Sequence, residues 1–123
     1  MHLKDADMVA DAMTYKCQEW FSQGMKELSN PATATSGIAK IREACRQCTK
    51  QYENYLNPRN ITRQDVGRGN MIPPEFHRYM SILKDVDVNK GGTIVKAKRE
   101  LERYGMTFEM VFQQLGDLMR KIG

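Results

Sequence analysis

Residues 37–56 carry the pattern that most limits the fold. Ile38, Ile41, Cys45, Cys48, Tyr52 and Tyr55 follow one another at steps of 3, 4, 3, 4 and 3. That rhythm sets the apolar groups on one side of an α-helix and is incompatible with the strict alternation of a half-buried strand. A seam this narrow packs against one or two neighbouring helices, so the rest of the chain must supply them.

It does so on both sides. A first helix is predicted over about 5–28, where Val9, Met13, Cys17, Trp20, Phe21, Met25 and Leu28 recur at spacings of three and four, with Gly24 inside the stripe. Asp5 is placed to cap it, and Asp7 and Asp11 lie near the positive end of its dipole. Trp20 reads as a core anchor with its indole N–H at the edge. Ser29-Asn30-Pro31 stops this helix, and Thr35 or Ser36 is expected to cap the second. Beyond Leu56 the periodicity fails. Asn57-Pro58-Arg59-Asn60 reads as a turn, 61–66 as one short helical turn capped by Thr62, and Gly67-Arg68-Gly69-Asn70 as a flexible turn. Connections of this length inside a compact domain are functional or mobile.

Pro73-Pro74 suits the first turn of a third helix, with Phe76, Tyr79, Met80, Leu83 and Val86 buried and 89–92 ending it. Thr93 is expected to cap a fourth helix carrying Ile94, Val95, Ala97, Leu101 and Tyr104, and Gly105 holds the position of a C′ glycine. Thr107 caps a fifth, with Met106 stapled onto Val111 and an apolar side of Phe108, Val111, Phe112, Leu115, Leu118, Met119 and Ile122. The expected fold is all-α: a compact bundle of about five helices, one domain over 1–123, with one long irregular loop between helices 2 and 3.

Composition narrows the class. A chain of 123 residues with 41% hydrophobic and 28% charged residues fits a globular domain. No apolar run approaches the roughly 20 residues of a membrane span, so no membrane partner is expected, and residues 1–11 lack the apolar core of a signal peptide. Cys17, Cys45 and Cys48 are an odd set that builds no disulfide framework, which points to a reducing, cytoplasmic setting. Nine methionines suit adaptable contact surfaces.

The charge is unevenly placed. From Lys40 to Arg68 seven basic residues face three acids, a net +4 that equals the formal charge of the whole chain. A local basic surface on a near-neutral body suggests an anionic partner. The expected contacts to a phosphate backbone are Arg42, Arg46, Lys50, Arg59, Arg63 and Arg68, with a second set at Lys96, Lys98, Arg99 and Arg103. The partner is then nucleic acid, or an acidic protein surface. The alternative is a protein-interaction module, an adaptor or inhibitor of a larger nucleic-acid-processing machine, whose adhesive face is Met106, Phe108, Met110, Phe112 and Met119. A second copy of the chain is then one possible occupant. No catalytic constellation is complete, so the reading is non-enzymatic and needs no cofactor.

Several motifs have plainer readings beside them. Cys45-Arg46-Gln47-Cys48 has redox or zinc spacing but falls inside a helix on its core seam, where cysteine acts as a small hydrophobe. Asp85-Val86-Asp87-Val88-Asn89-Lys90-Gly91 opens like a calcium loop, but Lys90 and Lys96 hold the glycine and glutamate places. His77, near Glu75, has no companion nucleophile and reads as a surface histidine. Gly67-Arg68-Gly69 is too short for a phosphate cradle. Residues 99–115 resemble a general helix-turn-helix. Gly105 sits at the turn, Met106 and Val111 at apolar motif positions, Thr107 at the cap of the would-be recognition helix, and Gln113 and Gln114 at base-reading places. The chain departs from the motif at Leu101, where a small residue is wanted, and at Phe108, Phe112 and Glu109. The plain reading is an αα-hairpin with a glycine cap.

Overall fold

The fold comes from a computed structural model. It describes residues 3–66, 68, 72–88 and 93–120, with side chains described from Tyr15 onward except at 63, 88, 93, 119 and 120. The described residues form five α-helices and no strand: α1 (Leu3–Leu28), α2 (Ala34–Leu56), α3 (Phe76–Val88), α4 (Thr93–Glu102) and α5 (Phe108–Arg120). The bundle is all-α and compact. α2 lies in the middle, against α1, α3 and α5. α5 packs on α1, and α4 packs on α3.

The centrality of α2 widens its buried side. Ile41, Cys45, Cys48, Tyr52 and Tyr55 are buried as their spacing predicts, and Ala44, Thr49 and Leu56 join them, while Ile38 is only half-buried. Three neighbouring helices need a broader apolar face than the one or two that a narrow seam serves. The same core takes Cys17 and Phe21 from α1, Phe76, Tyr79, Met80, Leu83 and Val86 from α3, and Phe108, Val111, Phe112 and Leu115 from α5. Phe21 meets the ring of Phe108 at 4.7 Å and that of Phe112 at 5.8 Å. Trp20 is half-buried against this core, with the Lys16 ammonium 4.7 Å from its ring.

α1 and α2 touch backbone to backbone. A Cβ built on Gly37 would stand 2.5 Å from the Gly24 carbonyl oxygen and 2.6 Å from the Leu28 nitrogen; one on Gly24 would stand 2.8 Å from the Gly37 carbonyl oxygen. Both positions are open only to glycine, because no side chain can move these backbone atoms aside.

Helix ends follow the sequence in some places and correct it in others. α1 already includes Leu3 and Asp5, so Asp5 lies within the helix and not at its cap. α2 starts at Ala34, before either expected cap. The residue at its N-cap position, Thr33, makes no side-chain cap bond and instead donates its hydroxyl to the Glu27 carbonyl at 2.8 Å, closing α1. Ser36 lies inside α2 and donates to the Glu27 carboxylate at 3.1 Å. Two short 3₁₀ turns follow α2, Asn57–Arg59 and Arg63–Asp65, with Asn60 between them in the left-handed region at φ 55. Thr62 opens the second as expected: its N–H and hydroxyl donate to the Asp65 carboxylate at 3.3 and 2.6 Å. These bonds hold the Asp65 carboxyl below its usual range. The flexible turn expected at 67–70 lies outside the described residues apart from Arg68, as does the helix end expected at 89–92. Pro73 and Pro74 stand just before α3, not within it, and the Pro73 carbonyl accepts from Phe76 N–H at 3.0 Å.

α4 ends as its sequence foretells. Gly105 takes φ 68, Met106 N–H donates to Leu101 O at 3.0 Å, and Gly105 N–H donates to Glu102 O at 3.0 Å. This is the paired bonding of a Schellman turn, with buried Leu101 and Met106 as its apolar contact. Thr107 then caps α5, accepting from Met110 N–H at 3.2 Å.

Candidate functional site

The cations on and after α2 are largely engaged within the fold. Arg42 is half-buried and donates through Nε to the Val86 carbonyl at 3.3 Å, in the last turn of α3. That carbonyl is one of the orphan acceptors at a helix C-terminus, where a cation is favoured. Arg46 pairs with Glu43 one turn earlier. Glu43 also accepts from Gln47 at 3.0 Å; that bond, with Arg46 and the nearby Lys50, holds its carboxyl below the usual range. Arg59 donates to the Tyr55 carbonyl at 2.7 Å and lies 4.2 Å over the Tyr55 ring, closing the end of its own helix. Lys40 bonds Glu27 at 2.5 Å across the α1–α2 contact and holds that carboxyl down. Lys50 and Arg68 are exposed, and the side chain of Arg63 lies outside the described residues. The expected single cationic face is thus mostly a set of internal ties.

α4 is different. Ala97 and Leu101 are buried and Ile94 leans on the core, which orients the rest of the helix outward. Lys96, Lys98, Arg99 and Arg103 are all exposed. Among the described residues none of the four has an ion-pair partner. Glu100 is half-buried and Glu102 exposed, so the local excess is two positive charges over 93–104.

The expected adhesive face needs correction. Met106, Phe108 and Phe112 are 6%, 3% and 1% exposed, part of the core and not of a surface. α5 is apolar on one side only; its outward residues are Glu109, Met110, Gln113 and Asp117. Only Met110 of the set is exposed, and the side chain of Met119 lies outside the described residues. The same outward row bears on the helix-turn-helix resemblance. Among the described side chains of α5, which stop at Leu118, the outward charges are the acids Glu109 and Asp117; Gln113 is bonded to Asp117 at 3.3 Å, and Gln114 is half-buried. α4 and α5 are joined by the glycine-capped turn, but α4 packs on α3 and α5 on α1, so the two helices do not form the paired unit that either the helix-turn-helix or the αα-hairpin expects.

Cys17, Cys45 and Cys48 are all buried, and none is in a disulfide. Burial pushes the Cys17 thiol up to about 11 and raises the Cys45 and Cys48 thiols as well, so all three pack as small apolar groups. Among the described residues no group of three or more His, Cys, Asp or Glu is placed to hold a metal. Asp85 and Asp87 lie within α3, and the rest of the calcium-loop-like stretch, from Asn89 to Gly91, is outside the described residues. No described helix is long and apolar enough to cross a membrane.

Two recesses were not foreseen from the sequence. A groove of about 470 Å³ runs between α1 and the α4–α5 turn, walled by Phe21, Met25, Ile94, Leu101, Met106 and Phe108, with Lys26, Lys98, Glu102 and Glu109 on it. A smaller cleft of about 260 Å³ opens between α2 and α3 beside Tyr52 and His77. His77 is half-buried there, not a surface histidine. Both recesses combine residues whose spacing marks them as core, such as Phe21, Leu101, Tyr52 and Met80, with polar neighbours, and only the packing of adjacent helices leaves space between them. No protein-family model, no curated protein and no solved structure matches the chain.

Proposed function

We propose that this is a small non-enzymatic accessory protein that docks on a nucleic-acid phosphate backbone, with α4 as its principal contact. One observation carries the reading: Lys96, Lys98, Arg99 and Arg103 are exposed on one short helix and its end without an ion-pair partner among the described residues. Lys50 and Arg68 are exposed and add to the field, whereas Arg42 and Arg59 serve the fold. Docking proceeds by counterion release, which carries no base information.

Binding to random single- and double-stranded DNA and RNA, titrated with salt, tests this. Four phosphate contacts give a log–log slope of about −3 to −4, so affinity falls on the order of a hundredfold between 50 and 200 mM salt. A flat salt dependence removes the reading. A combined Lys96→Ala, Lys98→Ala, Arg99→Ala, Arg103→Ala variant that binds like the parent removes α4 as the contact.

A second reading rests on the apolar groove and on side chains left outside: Tyr15, Val95 and Met110 are 69%, 56% and 44% exposed. A second copy seating one of these in the groove makes a homodimer. Light scattering after size-exclusion separates the readings, since a strictly monomeric protein at high concentration excludes this one.

A further inference from the structure

Tyr104 directly follows the cations of α4 and is 43% exposed. Its N–H donates to Leu101 O at 2.9 Å and that of Arg103 to Arg99 O at 3.3 Å, so the chain is still turning helically through both residues. Lys96, Arg99 and Arg103 are spaced by three and four and share the outward side, opposite buried Ala97 and Leu101. The Tyr104 ring lies on the flank toward α3, where it meets the ring of Tyr79 edge to face at 5.6 Å and 72°. Whichever ring supplies the edge, that contact covers at most one face of Tyr104. Tyr79 is buried and meets Phe76 at 6.2 Å, and Phe76 meets Tyr52 at 5.3 Å, both edge-on. The exposed ring is thus braced by a series of rings running into the core. An aromatic held in this way loses little freedom when another ring stacks on it.

The neighbouring acids decide how a ligand can lie. Glu100, one turn before Tyr104, is half-buried. Burial and, next, the nearby Glu75 carboxylate raise the ionisation of the Tyr79 hydroxyl, which places Glu75 beside the aromatic pair. Glu102 lies on the other flank, in the groove beside α1. A phosphate is therefore repelled on both flanks and drawn to the side of Lys96, Arg99 and Arg103. A nucleobase is neutral and can reach the Tyr104 ring while its phosphate stays on the cationic side. A duplex cannot use this arrangement, because its bases are paired and stacked on one another.

We propose, building on the phosphate-docking reading, that the ligand of this surface is an unpaired nucleotide strand, with phosphates on Lys96, Arg99 and Arg103 and one base stacked on Tyr104. Charge alone sets the opposite preference, since each phosphate contact releases about 0.9 counterion from duplex DNA and about 0.7 from a single strand. A preference for single strands has to come from the bases.

Fluorescence anisotropy of the full chain with a labelled single-stranded DNA of non-self-pairing sequence, its RNA counterpart and the matching DNA duplex tests this across a salt series. At least one single strand is expected to bind about fivefold or more tighter than the duplex, and the DNA and RNA arms show which sugar the site admits. Tyr104→Leu keeps apolar bulk against Tyr79 and removes the ring. It should weaken single strands on the order of tenfold, leave the duplex within about twofold, and leave the salt slope unchanged because no charge is lost. Tyr104→Phe, which keeps the ring, should bind single strands within about twofold of the parent. A duplex bound as tightly as either single strand, or a Tyr104→Leu variant that binds single strands like the parent or loses single strand and duplex alike, overturns the base contact and leaves salt-dependent phosphate docking standing. Absence of salt-dependent binding to all three probes removes both.

Discussion

α2 and α4 carry the same sequence signal, cations repeated at helical spacing, and use it in opposite ways. α2 stands between three helices, so its basic side chains lie within reach of other elements' carbonyls and carboxylates, and Arg42 and Lys40 take them. α4 leans on α3 through a thin inner strip, and among the described residues no ion-pair partner answers the cations on its outer side. A charged stripe on a central helix becomes part of the fold; on a peripheral helix it stays available to solvent and to partners.

The contrast can be broken most sharply at the α1–α2 contact. If α2 is the fixed centre, Gly37→Ala should cost about 3 kcal/mol in urea denaturation or prevent folding, because its Cβ meets backbone and not movable side chain. Val95→Ala, on the exposed side of α4, should stay within about 0.5 kcal/mol. Similar costs at the two positions would erase the distinction.

Next in size is the effect on binding. Replacing the four α4 cations together should lower nucleic-acid affinity at low salt by about a hundredfold and flatten the salt slope by about 3 to 4, with little change in melting temperature. Arg42→Ala should do the converse: it destabilises by about 1 kcal/mol through the lost bond to the α3 terminus and leaves the salt slope unchanged. A slope that moves with Arg42 would return α2 to the interface.

The smallest effect is acid sensitivity. Glu27, Glu43 and Asp65 all have carboxyls held below their usual range, led respectively by Lys40, Gln47 and Thr62. The unfolded chain therefore binds protons before the folded one. Their stabilisation is complete above the ordinary carboxylate range, near pH 4, and is lost as pH falls through the lower folded values. Urea midpoints measured from pH 6 to pH 2.5 should decline over this window, and Glu27→Gln should flatten the decline slightly.

Much of the fold could be read in advance. The five periodic stripes, the left-handed Gly105, the Thr107 cap and the Thr62–Asp65 turn are local features, determined by residues within one or two turns of each other. What escaped reading depends on distant partners. Thr33 closes the helix before it and so shifts the start of the helix after it. Gly24 and Gly37 are each unremarkable alone, and only their meeting makes them irreplaceable. Phe108 and Met106 looked adhesive because α5 is rich in large apolar groups, but α1 already covers them. The cation sites were legible as positions and illegible as roles, because pairing depends on what the tertiary fold brings within reach. Tyr52 was visible as a core residue, while the recess beside it follows from how α3 lies against α2.

The three cysteines give the molecule a built-in clock. Alkylating reagents attack thiolate, and all three cysteines, Cys17 on α1 and Cys45 and Cys48 on α2, are buried in the shared core, where burial favours the protonated thiol. Labelling at neutral pH should therefore proceed only as fast as these helices part, so a simple mass-shift time course reports how often the centre of the bundle opens.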